Sequence, residues 1–389
     1  MSLHVPLPIF QRMVAFRRDL HRHPELSWEE DRTADQIEEA LEGLGLTPRR
    51  MARTGVVVDL PGRAGPIIAL RADTDALPIQ EQTGLPFASV HADKMHACGH
   101  DGHSAMLLGA AALLRDQDLP APVRLIWQPA EEHATGARRL IQEGVLDGVA
   151  MIFGGHVDRH YPAGSLVVSD GAVNASSDAF YIRITGQDAH GARPHEATDA
   201  VVVGSLLVMS LQTIVSREVN PAHPSVVSIG RFAAGAAHNV IAGEAVLEGT
   251  IRAQEAHVRD HLHASVKRIA EAVAQVHEAR IDVEIREGTP PVNNPAGPAA
   301  IARTAALAVV GPHATVPLHT ANMGGEDFAW YMEHVPGCYI RFGAQVPGRE
   351  SYPAHSARFD FDERALDTGA AWFTQVALEA GARLEEEAA

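Results

Sequence analysis

Ile67-Ile-Ala-Leu-Arg-Ala72 runs without a break into Asp73-Thr-Asp-Ala-Leu-Pro78. The first half is apolar enough for a strand covered on both faces, as a central strand of a parallel sheet must be. The second half is a carboxylate-rich turn at the strand's end, where open α/β sheets gather their ligands. Outward from this unit, strand and helix alternate. Amphipathic helical patterns cover 7–21 and 29–44, and Pro24 interrupts the helix between them. Gly55-Val-Val-Val-Asp-Leu60 reads as a strand. After the turn come a small-residue helix over 104–115, the strand Val123-Arg-Leu-Ile-Trp-Gln128 and a helix from Gly136 to Glu143. The next strand, Val149-Ala-Met-Ile-Phe153, is expected to end in Gly154-Gly-His156. This alternation predicts the α/β class, a mostly parallel sheet flanked by helices.

Near residue 176 the texture changes. Ala179–Thr185, Val226–Gly230, Ala245–Arg252 and Ile281–Arg286 read as strands, with helices over 200–217 and 255–276. Two helices on a four-stranded antiparallel sheet make an inserted α+β sandwich over 176–287. The remainder, 1–175 plus 288–389, is expected to form one discontinuous domain, re-entered at Thr289-Pro-Pro-Val-Asn-Asn-Pro295. Such a division suits 389 residues, too many for one ordinary core. The apolar helix Ala200–Val215 is about 16 residues, short of the ~20 that span a bilayer, and reads as buried.

Composition narrows the partners. Acidic residues outnumber basic ones by a formal charge of 17, which opposes binding to nucleic acid or to an anionic membrane. Two cysteines, Cys98 and Cys338, make no disulfide framework, and Arg12, Arg17 and Arg18 precede any long apolar run. These features predict a cytoplasmic protein.

The chemistry concentrates in Met95-His-Ala-Cys-Gly-His-Asp-Gly-His103. Cys98 and His100 flank Gly99, so both can face one ion from a single bend, and thiolate and imidazole are the donors that borderline transition metals prefer. A His-rich surface loop is the plain alternative. Glu131 and Glu132 lie just past a strand end, where diverging side chains would leave one to bind metal and the other free as a base. An exposed acidic pair at a helix start reads the same way. His156 follows a double glycine and is either a ligand or a satisfied core histidine. His355, in Tyr352-Pro-Ala-His-Ser356, is a ligand or a loop residue. Together Cys98, His100, Glu132, His156 and His355 are too many for one tetrahedral site and enough for two ions sharing a ligand. Asp73 is expected to orient a ligating imidazole from behind.

These strings resemble the aminoacylase/carboxypeptidase family of dimetal amidohydrolases, in the branch of hippurate hydrolase, auxin-conjugate hydrolase and bacterial N-acyl-amino-acid deacylases. The resemblance runs nearly end to end. Its further marks are His21-Arg-His-Pro-Glu-Leu26, Arg71-Ala-Asp-Thr-Asp-Ala-Leu-Pro78, Gln128-Pro-Ala-Glu-Glu132, Ala189-His-Gly-Ala-Arg-Pro-His195, Gly249-Thr-Ile-Arg252 and Gly325-Glu-Asp-Phe328. It implies that the five residues named above bind two divalent ions per subunit; Cys98 and three imidazoles suit zinc first, with manganese, cobalt or nickel as alternatives. It implies that Glu131 takes a proton from the attacking water and passes it to the leaving amine. His190 would hold the oxyanion, Asn239 and Arg252 would contact substrate, and the insertion would mediate a homodimer. Arg252 suits a carboxylate by its bidentate geometry, and a strand-end ion pair is the structural alternative.

Two departures bear on substrate. Peptidase relatives carry His-x-Asp where this chain has Arg71-Ala-Asp73, and an aspartate where it has the cysteine loop. That favours small N-acyl amino acids over peptides. His133-Ala-Thr-Gly136 also differs from the glycine-richer pattern and leaves the acyl pocket open. The expected activity is hydrolysis of an N-acyl amino acid to a carboxylic acid and a free amino acid. The rivals are a dipeptidase or carboxypeptidase, and a metal-binding homologue without activity.

Overall fold

The computed structural model describes residues 4–63, 65–348 and 351–388. They form two compact units, of which the second comprises Asn174–Asn293 and Ala321–Glu326. The first unit opens with helices α1 (Leu7–Arg22) and α2 (Asp31–Glu42). Strands β1 (Arg49–Met51), β2 (Gly55–Leu60) and β3 (Ile67–Asp73) follow, then α3 (His100–Leu114), β4 (Val123–Gln128), α4 (Gly136–Gln142), β5 (Val149–Pro162) and β6 (Leu166–Val167). In the second unit lie β7 (Asp178–Thr185), α5 (Ala200–Thr213), β8 (Ser225–Ala234), β9 (Glu244–Ala253), α6 (Ala256–His277) and β10 (Arg280–Arg286). The chain then supplies the first unit with α7 (Ala296–Val310), β11 (Thr315–Val316), β12 (Gly337–Gln345) and α8 (Arg364–Ala388).

The first unit's sheet has the order β1-β2-β4-β3-β5-β12-β6-β11. Its centre is parallel, with β3 between β4 and β5 and β12 beside β5. Every residue of β4, and all of β3 after Ile67, is buried, which is why these strands read as unbroken apolar runs. α3 is buried nearly all round and packs on α1, α8 and β3. Its small residues permit this. A methyl at Gly109 would stand 2.5 Å from the Met13 sulfur, so the close helix contact needs glycine there.

One strand runs further than its sequence suggests. Gly154-Gly155 does not end β5, which pairs in parallel with β12 from Ile152 through Asp158, so His156 sits within a strand. The glycines answer to packing: side chains there would meet Phe328 and Phe342, each 2.8 Å away. A double glycine in a strand can mark close approach of neighbours as well as a break.

The second unit has the sheet order β8-β9-β7-β10, antiparallel throughout. α5 and α6 pack on it, and their apolar faces share one core with Phe180, Ile182, Leu247 and Ile251. Asp178, at the start of β7, accepts hydrogen bonds from Arg259, His263 and the Gly288 amide, so one buried carboxylate ties the unit's entry, exit and α6 together. α5 corrects the expectation of a buried helix. Only Ala200, Val203, Gly204, Leu207 and Leu211 are buried, while Val201 is 42% and Met209 68% exposed. Apolarity all round hid which face meets the core. With its continuation to Glu218 the helix has 19 residues and is, by length and composition alone, apolar enough to cross a membrane.

Candidate metal centre

The centre is assembled in the first unit from five segments: the turn after β3, the loop into α3, the turn after β4, the middle of β5 and the loop before α8 that carries His355. Gly99 has φ +96°, and a side chain there would strike Val157 at 2.6 Å, so only glycine lets Cys98 and His100 stand on either side of this bend. His100 opens α3. Its Nδ1–H donates to the Asp75 carbonyl at 2.8 Å, while its buried Nε2 has no hydrogen-bond partner among the described residues. His156 is set in the same way, with Nδ1–H on the Val157 carbonyl at 2.8 Å and Nε2 3.2 Å from the Cys98 sulfur. A backbone acceptor on one ring nitrogen fixes the tautomer that leaves the other free for an ion.

Two of the resulting ligand groups share a residue. Donor atoms of Cys98, His100 and His156 lie within 4.8 Å of one another, and so do those of Cys98, Glu132 and His355. Both groups contain Cys98. His355 reaches its place with a left-handed backbone, φ +66°, held by its amide on the Ala97 carbonyl at 2.8 Å. Its Nε2 lies 3.2 Å from Glu132 Oε1. The unpartnered Nε2 of His100 beside a sulfur and a carboxylate is the observation that a cation fits: a buried imidazole nitrogen aimed at such donors is otherwise costly. Burial, with Glu132 nearby, pushes the Cys98 thiol up to about 12. A dication beside the sulfur opposes that shift and takes the thiolate. Burial, then the charges of His103 and Arg341, hold His156 well below the ordinary imidazole value, in the neutral form that ligates.

The two adjacent glutamates do not diverge. One oxygen of each lies within 4.8 Å of the other and of a His100 ring nitrogen. Their backbone explains this: the Glu131 and Glu132 amides both donate to the Asp75 carboxylate at 3.0 Å. Asp75 also accepts from the Ser27 hydroxyl at 2.6 Å. Glu131 Oε1 faces the Asp327 amide at 3.4 Å, and the Asp327 side chain is locked by Arg71, Gln128 and the Ala137 amide.

Asp73 does something other than expected. Its Oδ1 accepts from His103 Nδ1–H at 2.6 Å, and the His103 Nε2 in turn accepts the Val157 amide at 2.9 Å. Both nitrogens of His103 are thereby spent, which leaves this imidazole outside the ligand set although its ring meets that of His156 edge to face, with centroids 4.7 Å apart. The residue that positions a ligand from behind is Asp75, and sequence reasoning missed it. Asp73 and Asp75 stand two apart in one turn, and only the fold shows which reaches which partner.

Behind the glutamate turn lies Glu30, buried, accepting from the Ala130 amide at 2.9 Å and the Thr54 hydroxyl at 2.7 Å. Burial, then the Asp75 charge, raises its pKa to about 7. The folded state therefore holds this proton more tightly than the unfolded chain. Glu30 costs no stability below the ordinary carboxyl range, and its cost grows as pH rises to about 7. The full effect is about 3 kcal/mol. Glu30→Gln keeps an acceptor for Ala130, so its urea midpoint relative to wild type should climb from pH 4.5 to pH 8. A constant difference would show that Glu30 is not titrating in that window.

In the second unit, His190 pairs with Val240, and the Asn239 carbonyl accepts the Gly191 amide at 2.8 Å, so these two residues lie side by side and exposed. Arg252 lies in β9 opposite Val226. Among the described residues its guanidinium has no ion pair, and Asp178 is occupied by Arg259 and His263. Burial lowers its pKa, offset by the Asp178 charge.

Among known proteins, the chain is 40% identical over 364 residues to the N-acetyl-L-cysteine deacetylase of Bacillus subtilis, covering 92% of this chain and 85% of that one. It is 42% identical over 288 residues to the N-acyl-L-amino acid amidohydrolase of Geobacillus stearothermophilus, covering 72% and 78%. The crystal structure of the Bacillus subtilis YXEP protein, described as a dinuclear metal binding peptidase, superposes with a TM-score of 0.86 at 36% identity, covering 98% and 99%. The model of the peptidase family M20/M25/M40 matches residues 69–379, and the chain belongs to that family.

Proposed function

We propose that the chain is a metal-dependent amidohydrolase that cleaves N-acyl amino acids to a carboxylic acid and a free amino acid. The observation that carries this reading is the pair of ligand groups sharing Cys98, with a further carboxylate, Glu131, beside them. Two divalent ions held there would polarise the acyl carbonyl and lower the pKa of water. One thiolate and three imidazoles favour zinc, with cobalt, nickel and manganese as the other candidates. A reducing cytoplasm keeps Cys98 available as a ligand.

The residues then divide the work. Glu131 accepts the proton of the attacking water and returns it to the leaving nitrogen, from a position fixed by Asp75 and Asp327. Arg252 and Asn239 hold the substrate's free carboxylate and amide. His190 stabilises the oxyanion of a partner subunit, in a homodimer formed through the second unit. The exposed apolar face of α5 supports such a contact.

Assay of N-acetyl, N-benzoyl and N-indoleacetyl amino acids against unblocked dipeptides, with each metal restored to apo-enzyme, tests the activity. Turnover confined to dipeptides would overturn it. Arg252→Ala should lower kcat/KM for acyl amino acids by about 10- to 150-fold, the worth of a charge-assisted contact, and spare the matching amides that lack the carboxylate. An equal loss on both would assign Arg252 a structural role.

The partner arrangement has its own test. Glu131→Gln and His190→Ala homodimers should each be nearly inactive. Refolded together, half the dimers are hybrids with one intact site in two, so about a quarter of wild-type activity should return. Hybrids confirmed by mass spectrometry that remain inactive would refute it.

A further inference from the structure

Beyond the first unit, the described residues hold a second concentration of metal-ligating side chains. His223 precedes β8 in the rigid turn Asn220-Pro-Ala-His-Pro224, where the Ala222 amide donates to the Asn220 side chain at 3.0 Å and the His223 amide to the Asn220 carbonyl at 2.9 Å. The β8–β9 ladder ends with Ser225 opposite Ala253. His223 and Glu255 each lie two residues beyond that end, and the ladder brings their segments side by side. His257, two residues on, stands in the first turn of α6.

Glu255 occupies the N-cap position of α6, yet its carboxylate makes no hydrogen bond to the helix amides. It turns to the two imidazoles instead. One oxygen lies 2.5 Å from His223 Nδ1 and the other 3.3 Å from His257 Nδ1. The rings meet nearly edge to face, with centroids 5.3 Å apart. One donor atom from each of the three residues lies within 4.8 Å of the others. A capping carboxylate that forgoes its helix to sit between two imidazole nitrogens is arranged as a ligand set.

We propose that His223, Glu255 and His257 bind a divalent transition-metal ion, separate from the catalytic centre. Two imidazoles and a carboxylate are a donor set for zinc, nickel or cobalt and are too nitrogen-rich for calcium or magnesium. His223 and Glu255 are about one-third exposed and His257 is 69% exposed, so the remaining coordination positions face solvent and take water. The ion pins the first turn of α6 to the end of the β8–β9 ladder.

The test titrates Zn2+ alone into enzyme whose catalytic centre is already loaded, counting ions per chain by equilibrium dialysis. Wild type should take up one further ion per chain. Glu255→Gln and the exposed His257→Ala should both lose it and keep their catalytic ions and turnover. Cys98→Ser, titrated without prior loading, should fail to fill its catalytic centre and still take up the further ion. Equal uptake by wild type, Glu255→Gln and His257→Ala would overturn the proposal. So would loss of the further ion in Cys98→Ser alone, because the ion would then belong to the catalytic centre.

Discussion

Glu131→Gln should lose roughly 10³-fold or more in kcat while its metal content stays at the wild-type level. The carboxamide matches the carboxylate in shape, and the Glu131 amide would still donate to Asp75 at 3.0 Å. What disappears is a proton acceptor beside the ligand groups. Metal analysis of the purified variant, next to its kinetics, decides the assignment. Glu132→Gln should behave oppositely and lose metal first, because Glu132 belongs to the group with Cys98 and His355. If Glu131→Gln comes out metal-poor and Glu132→Gln comes out loaded, the two roles are exchanged.

Cys98→Ser should produce the largest fall in metal affinity of any single substitution, since Cys98 belongs to both ligand groups and its loss affects both ions. Removing an outer hydrogen-bond partner of a ligand costs about 10–100-fold, and a shared ligand should exceed that. Cys338→Ser is the matched control. Cys338 is fully buried in β12, where burial pushes its thiol far up, and it stands apart from both ligand groups that share Cys98. That variant should lose stability while keeping its metal. Chelator-stripped protein, titrated with zinc in the presence of a competing dye, separates the cases. Equal affinity loss in both variants would remove the cysteine loop from the centre.

Much of this is legible in the sequence, for identifiable reasons. β3 and β4 announce themselves because strands buried on both faces cannot carry polar residues in their interior, apart from pairs such as Arg71 and Asp73 that satisfy each other. The ligand loop is readable because Cys-Gly-His compresses two donors and a left-handed glycine into three residues. Other features depended on neighbours distant in sequence. Gly154-Gly155 looks like a break until Phe328 and Phe342 are seen against it. α5 looks buried because nothing in a uniformly apolar helix says which side lacks a partner. Whether Asp73 or Asp75 serves a ligand depends on where Ser27, His103 and Val157 arrive. His223 and Glu255 meet just beyond the end of the β8–β9 ladder, which no local pattern encodes.

The Asp75 arrangement limits what the chain can tolerate there. The side chain offers two oxygens, and these receive two consecutive amides and a hydroxyl while its own carbonyl receives His100. Asparagine would present an NH2 group to a donor. Glutamate would carry its carboxylate one methylene too far from a turn that has no slack, and smaller residues would strand three donors in the interior. Position 75 is therefore a place where the genetic code has almost no synonyms in physical terms. A change there leaves the Ser27 hydroxyl and the Glu131 and Glu132 amides short of acceptors at once.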